Sequence, residues 1–207
     1  MKKFLISFVF VFFISCFLRK GRVEEFSPER NFELGLYHFY KGKYGKAREY
    51  LNKVLFSGEI TEITDDAQFY IAKSYLREKE YETALSEYNF LVTQFPNSEH
   101  IEEAEFDILK IYTLKIQSSL HETEELENSL SKIKTFMERY PESRFKEEVK
   151  AMKSEILNLL AEKIYKIAEL YEKMGRFKSA EIYYKELLEK YPDTIWAERA
   201  REKIGKK

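Results

Sequence analysis

Apolar residues recur at spacings of three and four through most of the chain beyond residue 30, with charged residues between them. This is the period of an amphipathic α-helix. No two-residue hairpin signal separates alternating strands, and only seven Gly and four Pro interrupt the pattern. The pattern therefore predicts an all-α body.

Three segments of this body align with one another: residues 34–55, 71–96 and 167–192. In each segment an apolar residue precedes Gly or Ala, and an aromatic residue lies three positions before an Ala. The aromatic–Ala pairs are Tyr44/Ala47, Tyr81/Ala84 and Phe177/Ala180. Self-similarity of this kind indicates a helical repeat, and the alternative is a helical bundle in which the Ala and aromatic positions coincide by chance.

The pattern resembles the tetratricopeptide repeat (TPR), a helix–turn–helix unit of about 34 residues. Small residues would let the two helices of a unit approach closely. Pro would end the second helix, because Pro cannot continue the hydrogen-bond ladder. The resemblance implies an all-α TPR superhelix of about four to five repeats.

The repeats are irregularly spaced. A degenerate unit ends at Tyr140–Pro141 with Ser129 in place of Ala, and residues 118–129 are predicted to lengthen the linker between its helices. Neither Gly nor Pro occurs from Arg144 to Met174, which predicts one helix of about 30 residues near 144–174. Residues 194–204 are predicted to form a capping helix.

The first twenty residues follow another pattern. Lys2 and Lys3 precede an apolar run from Phe4 to Ile14 that only Ser7 interrupts. The run has 11 residues, whereas a membrane-spanning helix needs about 20. A positive head and a short apolar core are typical of a secretory signal peptide, which we predict over residues 1–15.

Cys16, the only cysteine, follows this run and resembles the lipidated cysteine of a bacterial lipobox. Ile14 and Ser15 fit the two positions before it, whereas Phe13 departs from the usual Leu. The resemblance implies cleavage before Cys16 and transfer of a diacylglycerol to its sulfur. An ordinary signal peptide with an incidental cysteine and an uncleaved anchor are the alternatives.

The predicted organisation has three parts: a signal peptide at 1–15, a lipidated tether at 16–30 and a TPR domain at 31–207. In the sorting rule of enteric bacteria, Asp after the lipidated cysteine retains a lipoprotein in the inner membrane. Phe17 stands there instead, which favours the outer membrane.

Charge and candidate chemistry exclude several classes of protein. The chain has 35 basic and 36 acidic residues, which is not the balance of a nucleic-acid binder. No HExxH, GxSxG or Gly-rich phosphate loop occurs in the sequence. His38 occupies a core aromatic position, whereas His100 and His121 are expected to be solvated. We predict no catalytic residue, no metal, no cofactor and no small-molecule substrate.

The lipobox and the irregular repeats together resemble the BamD family of outer-membrane assembly lipoproteins. The segments that carry the resemblance are 39–55, 65–106 and 161–194. It implies a non-catalytic, periplasm-facing scaffold that is held at the membrane by its lipid. Its implied partners are the periplasmic domains of a β-barrel insertase and unfolded outer-membrane proteins.

In TPR proteins the first helix of each repeat lines a concave peptide-binding face. The corresponding residues here are Phe32, Leu36, Phe39, Tyr40, Phe69, Lys73, Leu76 and Arg77. An aromatic-rich segment ending in a carboxylate would suit this face, with Lys73 or Arg77 pairing the acid. The last repeat contributes a charged set, Tyr165, Glu169, Glu172 and Lys173. The alternative is that the aromatic residues only pack against their neighbours.

Two other interpretations of the function stay open. One is a TPR scaffold of the Tol–Pal or cell-envelope type. The other is an accessory subunit of a secretion pore or of a peptidoglycan enzyme.

Overall fold

A computed structural model describes residues 26–57, 63–117 and 123–205. The predictions for the signal peptide, Cys16 and His121 fall outside these residues. Within them the chain forms helices and no strand, as predicted. The helices are α1 (Pro28–Tyr40), α2 (Tyr44–Leu55), α3 (Thr64–Arg77), α4 (Tyr81–Gln94), α5 (Ile101–Gln117), α6 (Thr123–Arg139), α7 (Lys146–Lys173), α8 (Phe177–Lys190) and α9 (Ile195–Gly205).

Consecutive helices pack as hairpins: α1 with α2, α3 with α4, α5 with α6, and α7 with α8. Each hairpin also packs on the next one, through α2 with α3, α4 with α5, and α6 with α7. Helix α9 packs on both α7 and α8. This arrangement of four helical hairpins and a closing helix is the predicted TPR architecture.

The turns inside three hairpins share one backbone conformation. Gly42, Lys79 and Gly175 occupy aligned positions, and all three have positive φ, at 69°, 63° and 72°. Their N–H groups donate to Phe39, Leu76 and Glu172, which are also aligned. Two of the repeats use Gly for this left-handed conformation, which an L side chain adopts at a cost.

The Pro positions end helices as predicted. Helices α4, α6 and α8 stop at Gln94, Arg139 and Lys190, each two residues before a Pro. Small residues line the contacts inside the hairpins, where Ala47, Ala84 and Ala180 are fully buried.

The prediction of a linker over 118–129 is wrong for most of its length, because α6 begins at Thr123. Glu124 and Glu125 lie in the first turn, where the helix dipole favours negative charge. Leu126 and Ser129 are buried, which anchors the start of the helix.

The long helix predicted near 144–174 is confirmed as α7, with 28 residues. Its first half contributes Val149, Ile156 and Leu160 to a core shared with α5 and α6. Its second half contributes Ala161, Tyr165 and Ala168 to a core shared with α8 and α9. Among the described helices, none is both long and apolar enough to cross a membrane.

Candidate peptide-binding surface

The N-terminal face of the molecule carries a cluster of aromatic side chains from α1 and α3. We call Phe32, Phe39, Tyr40, Phe69 and Tyr70 the aromatic cluster. The Tyr70 ring is its centre, since it contacts Phe39 at 5.1 Å, Phe69 at 5.5 Å, Tyr40 at 6.2 Å and Phe32 at 6.4 Å between ring centroids. The edge-to-face pairs of Tyr70 with Phe32, Phe39 and Tyr40 of α1 stabilise the contact between the first two repeats.

The eight residues predicted for the groove differ in exposure. Tyr40 is 71% exposed, and Arg77 is also exposed. Phe32, Leu36, Lys73 and Leu76 are partly buried. Phe39 and Phe69 lie in the hydrophobic core at 7% and 2% exposure, so these two support the surface from below and do not line it.

Tyr70 also belongs to this surface, although counting along the TPR unit does not place it on the concave face. Its hydroxyl lies 3.0 Å from the hydroxyl of Tyr40. Burial, followed by the hydrogen bond with Tyr40, raises the pKa of Tyr70. The sequence could have indicated Tyr70, because it directly follows Phe69. Tyr70 lies on the side of α3 that packs against α1.

His100 is not solvated, contrary to the prediction. Its ring stacks on Phe69 with the centroids 4.1 Å apart and the planes 4° from parallel. Its Nε2 lies 2.7 Å from Oδ1 of Asp66. The loop between α4 and α5 therefore folds back onto the start of α3. His38 is packed as predicted, because its ring stacks on Tyr50 at 5.4 Å.

Asp66, Glu99 and His100 bring three potential metal-ligand atoms within 4.8 Å of one another. Glu99 is exposed, and the other two side chains already bond each other. Among the described residues, no other three His, Cys, Asp or Glu side chains bring their ligand atoms this close together.

Lys73 is already ion-paired, which changes its predicted role. Its ammonium pairs with Glu103 and lies 4.7 Å above the ring of Phe69. Arg144 pairs with the same carboxylate. Burial alone would raise the pKa of Glu103, but the hydrogen bond from Lys73 and the charges of Lys73 and Arg144 outweigh it and lower that pKa. Arg77 is thus better placed than Lys73 to meet an incoming carboxylate.

The charged set of the last repeat is also engaged internally. Tyr165 is buried, with its ring 5.1 Å from the Trp196 ring. Glu172 pairs with Lys203 of α9 at 2.7 Å. These contacts attach α9 to the last hairpin, so Tyr165 and Glu172 act in packing.

Residues 24–204 match the family model YfiO, described as an outer membrane lipoprotein. The chain belongs to the YfiO family. The match spans every described helix except the last residue of α9. No curated protein matches the chain.

Solved TPR structures share the fold of this YfiO-family chain. The TPR2AB domain of yeast Sti1, in complex with pHSP90, is 17% identical with a TM-score of 0.55, over 80% of this chain and 64% of that one. The P58(IPK) TPR domain is 20% identical with a TM-score of 0.50, over 86% and 44%. A thermophilic TPR protein of Thermus thermophilus is also similar, at 18% identity over 85% of this chain and 98% of that one, but its TM-score of 0.47 is too low to support a shared fold.

Proposed function

We propose that this chain is a non-catalytic, periplasm-facing scaffold that takes part in the assembly and insertion of β-barrel proteins into the outer membrane. Its membership of the YfiO family of outer membrane lipoproteins, over residues 24–204, is the observation that carries the proposal. The TPR hairpins support it, because such solenoids offer extended surfaces for binding other proteins.

The proposal includes a lipid anchor at Cys16. Eleven residues separate Cys16 from Pro28, the first residue of α1. Even fully extended, that segment reaches about 40 Å. The first hairpin therefore stays close to the membrane, where an assembling barrel protein is inserted.

Co-purification from membranes tests the role and the anchor together. We expect the full chain to recover a β-barrel insertase, and we expect Cys16→Ala to move the protein from the membrane to the soluble fraction. Recovery of secretion-pore subunits, Tol–Pal components or peptidoglycan enzymes in place of an insertase would contradict the barrel role. An unmodified Cys16 in membrane-derived protein would contradict the anchor.

The same proposal gives the aromatic cluster a ligand. The aromatic side chains of an unfolded barrel segment would contact five residues of this surface: Phe32, Leu36, Tyr40, Tyr70 and Leu76. Arg77 would pair with its terminal carboxylate, because a guanidinium can donate two parallel hydrogen bonds to a carboxylate. Phe39 and Phe69 hold these residues in place from the core.

Calorimetry tests this surface by measuring how tightly the chain binds a peptide with alternating aromatic residues and a free C-terminal carboxylate. We expect Arg77→Gln to weaken binding about tenfold, since hydrogen bonds to charged groups contribute about 1.5–3 kcal/mol. Amidation of the peptide should weaken binding to the natural chain by a similar factor and have no further effect on Arg77→Gln. Arg30→Gln is the control, because Arg30 pairs with Glu33 on its own helix. Equal affinity for the acid and the amide would exclude Arg77 as the carboxylate partner.

A further inference from the structure

The second half of α7 carries three exposed apolar side chains on one face. They are Ile167, which is 40% exposed, Leu170, which is 51% exposed, and Met174, which is 59% exposed. Met174 is the residue that caps the C-terminus of the helix. Spacings of three and four residues place them one above another along the helix. We call these three residues the α7 stripe. Isolated exposed apolar residues are ordinary, but a contiguous group marks a site of interaction.

The corresponding face of the second repeat is covered by a helix. When residues 71–96 are aligned with 167–192, Ile71, Ser74 and Glu78 of the α3 segment take the places of the α7 stripe. Ile71 is 2% exposed and Ser74 is fully buried. In the second repeat this face is therefore a packing face, whereas in α7 it is exposed.

Helix α2 is the element that covers this face of α3. Leu51 and Val54 share a hydrophobic core with Ile71. Arg48 donates to the hydroxyl of Ser74 at 3.0 Å and pairs with Glu78 at 2.6 Å. Helix α2 thus covers α3 with two kinds of contact. Its apolar residues pack on Ile71, and its positive Arg48 pairs with the negative Glu78 at the edge of the face.

The extra length of α7 explains why its own face is uncovered. The preceding helix, α6, shares a core with the first half of α7 through Leu160. Beyond that point α7 extends past α6, and exposure along the face rises from buried Leu160 to Met174. Among the described residues, no helix occupies the place beside the stripe that α2 occupies beside α3.

The charges beside the stripe differ from those of α3. The position of Glu78 is taken by Met174, and exposed Lys173 and Arg176 flank it. Lys166 is also exposed, and Glu162 pairs with it at 2.7 Å. An approaching helix would therefore meet positive charge at the end of the stripe, which favours acidic residues on its edge.

We infer that the α7 stripe binds an amphipathic α-helix of a partner protein, in the way that α2 packs on α3. The partner helix presents an apolar face of two to three turns and carries acidic residues that meet Lys173 and Arg176. This inference concerns a surface at the opposite end of the chain from the aromatic cluster, and it does not depend on the role in barrel assembly.

A photoreactive amino acid at position 170 of the membrane-bound full chain tests the contact. We expect a crosslink to another protein, and we expect mass spectrometry to place it in an acidic, amphipathic helical segment. Ile182 of α8, which is 66% exposed and lies outside the stripe, is the control position. A crosslink from position 170 to a second copy, to residues 1–25 of the same chain or to lipid would overturn the inference, as would no crosslink at all.

Two synthetic helical peptides test the chemistry without knowledge of the partner. Both carry Leu at positions matching Leu51 and Val54 of α2, and one has Glu and the other Lys at its edges. We expect the Glu peptide to bind the natural chain about tenfold more tightly than the Lys peptide. Leu170→Glu with Met174→Glu should abolish binding, and Lys173→Glu with Arg176→Glu should reverse the preference.

These substitutions change exposed side chains, so circular dichroism should show an unchanged fold, and Ile182→Glu is the matched control. Equal binding of the two peptides, or binding that survives Leu170→Glu with Met174→Glu, would overturn the inference. An insertase that co-purifies with the natural chain while these results are negative leaves the proposed function intact. Positive results without an insertase would refute the barrel role alone.

Discussion

At the scale of single residues, Gly35 sets the distance between the two helices of the first hairpin. A Cβ atom at this position would lie 2.6 Å from Cγ and Cδ2 of Leu51. Leu51 is fully buried, so its side chain has no free space to move into. Gly45 in α2 offers a contrast, because nothing lies within 4 Å of the corresponding Cβ.

We expect Gly35→Ala to lower the free energy of unfolding by about 1–3 kcal/mol, because overpacking outweighs the better helix propensity of Ala. Gly45→Ala should instead raise it by about 0.5–1 kcal/mol, since the same gain in propensity meets no steric conflict. Urea denaturation followed by circular dichroism measures both. A Gly35→Ala variant as stable as the natural chain would show that the first hairpin tolerates a wider spacing.

Other single residues show where sequence patterns stop being informative. Phe39 and Tyr40 are adjacent aromatic residues on α1, yet Phe39 is buried and Tyr40 is mostly exposed. His100 looked solvated because its neighbours in the sequence are polar, but its ring is held by Phe69 and Asp66. Contacts with other helices decide these cases, and the pattern of neighbouring residues does not encode them.

At the scale of helices, the sequence predicted most of the fold. The three aligned segments predicted three hairpins, because an Ala follows an aromatic residue at the same spacing in all three and a Pro ends the last two. The long α7 followed from the lack of Gly and Pro between 144 and 174. The start of α6 was missed because residues 122–129 contain one apolar residue, Leu126, and a single apolar position shows no periodicity.

The candidate surfaces were less predictable than the helices that carry them. Counting along a TPR unit located the helix faces, but it did not reveal that Lys73 is paired with Glu103. The α7 stripe was likewise invisible in the sequence. Ile167 aligns with Ile71, and only the stacking of the hairpins determines that one is exposed and the other buried.

At the scale of the whole molecule, α7 joins two hydrophobic cores. Leu160 is the last α7 residue in the core formed with α5 and α6, and the adjacent Ala161 is the first in the core formed with α8 and α9. A continuous helix across this junction transmits the loss of one core to the other. The C-terminal half is thus expected to unfold together with the rest of the chain.

Breaking α7 at the junction tests this coupling. Glu162→Pro removes a helical hydrogen bond and places the ring against the carbonyl of Asn158, at a cost of about 3 kcal/mol or more. Trp196, the only tryptophan, packs in the C-terminal core and reports on it by fluorescence. In the natural chain, fluorescence and circular dichroism should show one thermal transition. In Glu162→Pro the fluorescence transition should move to lower temperature and separate from the circular dichroism transition.

Glu162→Ala, which loses only the ion pair with Lys166, should keep the transitions together. Coincident transitions in Glu162→Pro would mean that the hairpins are coupled by their packing and not through α7.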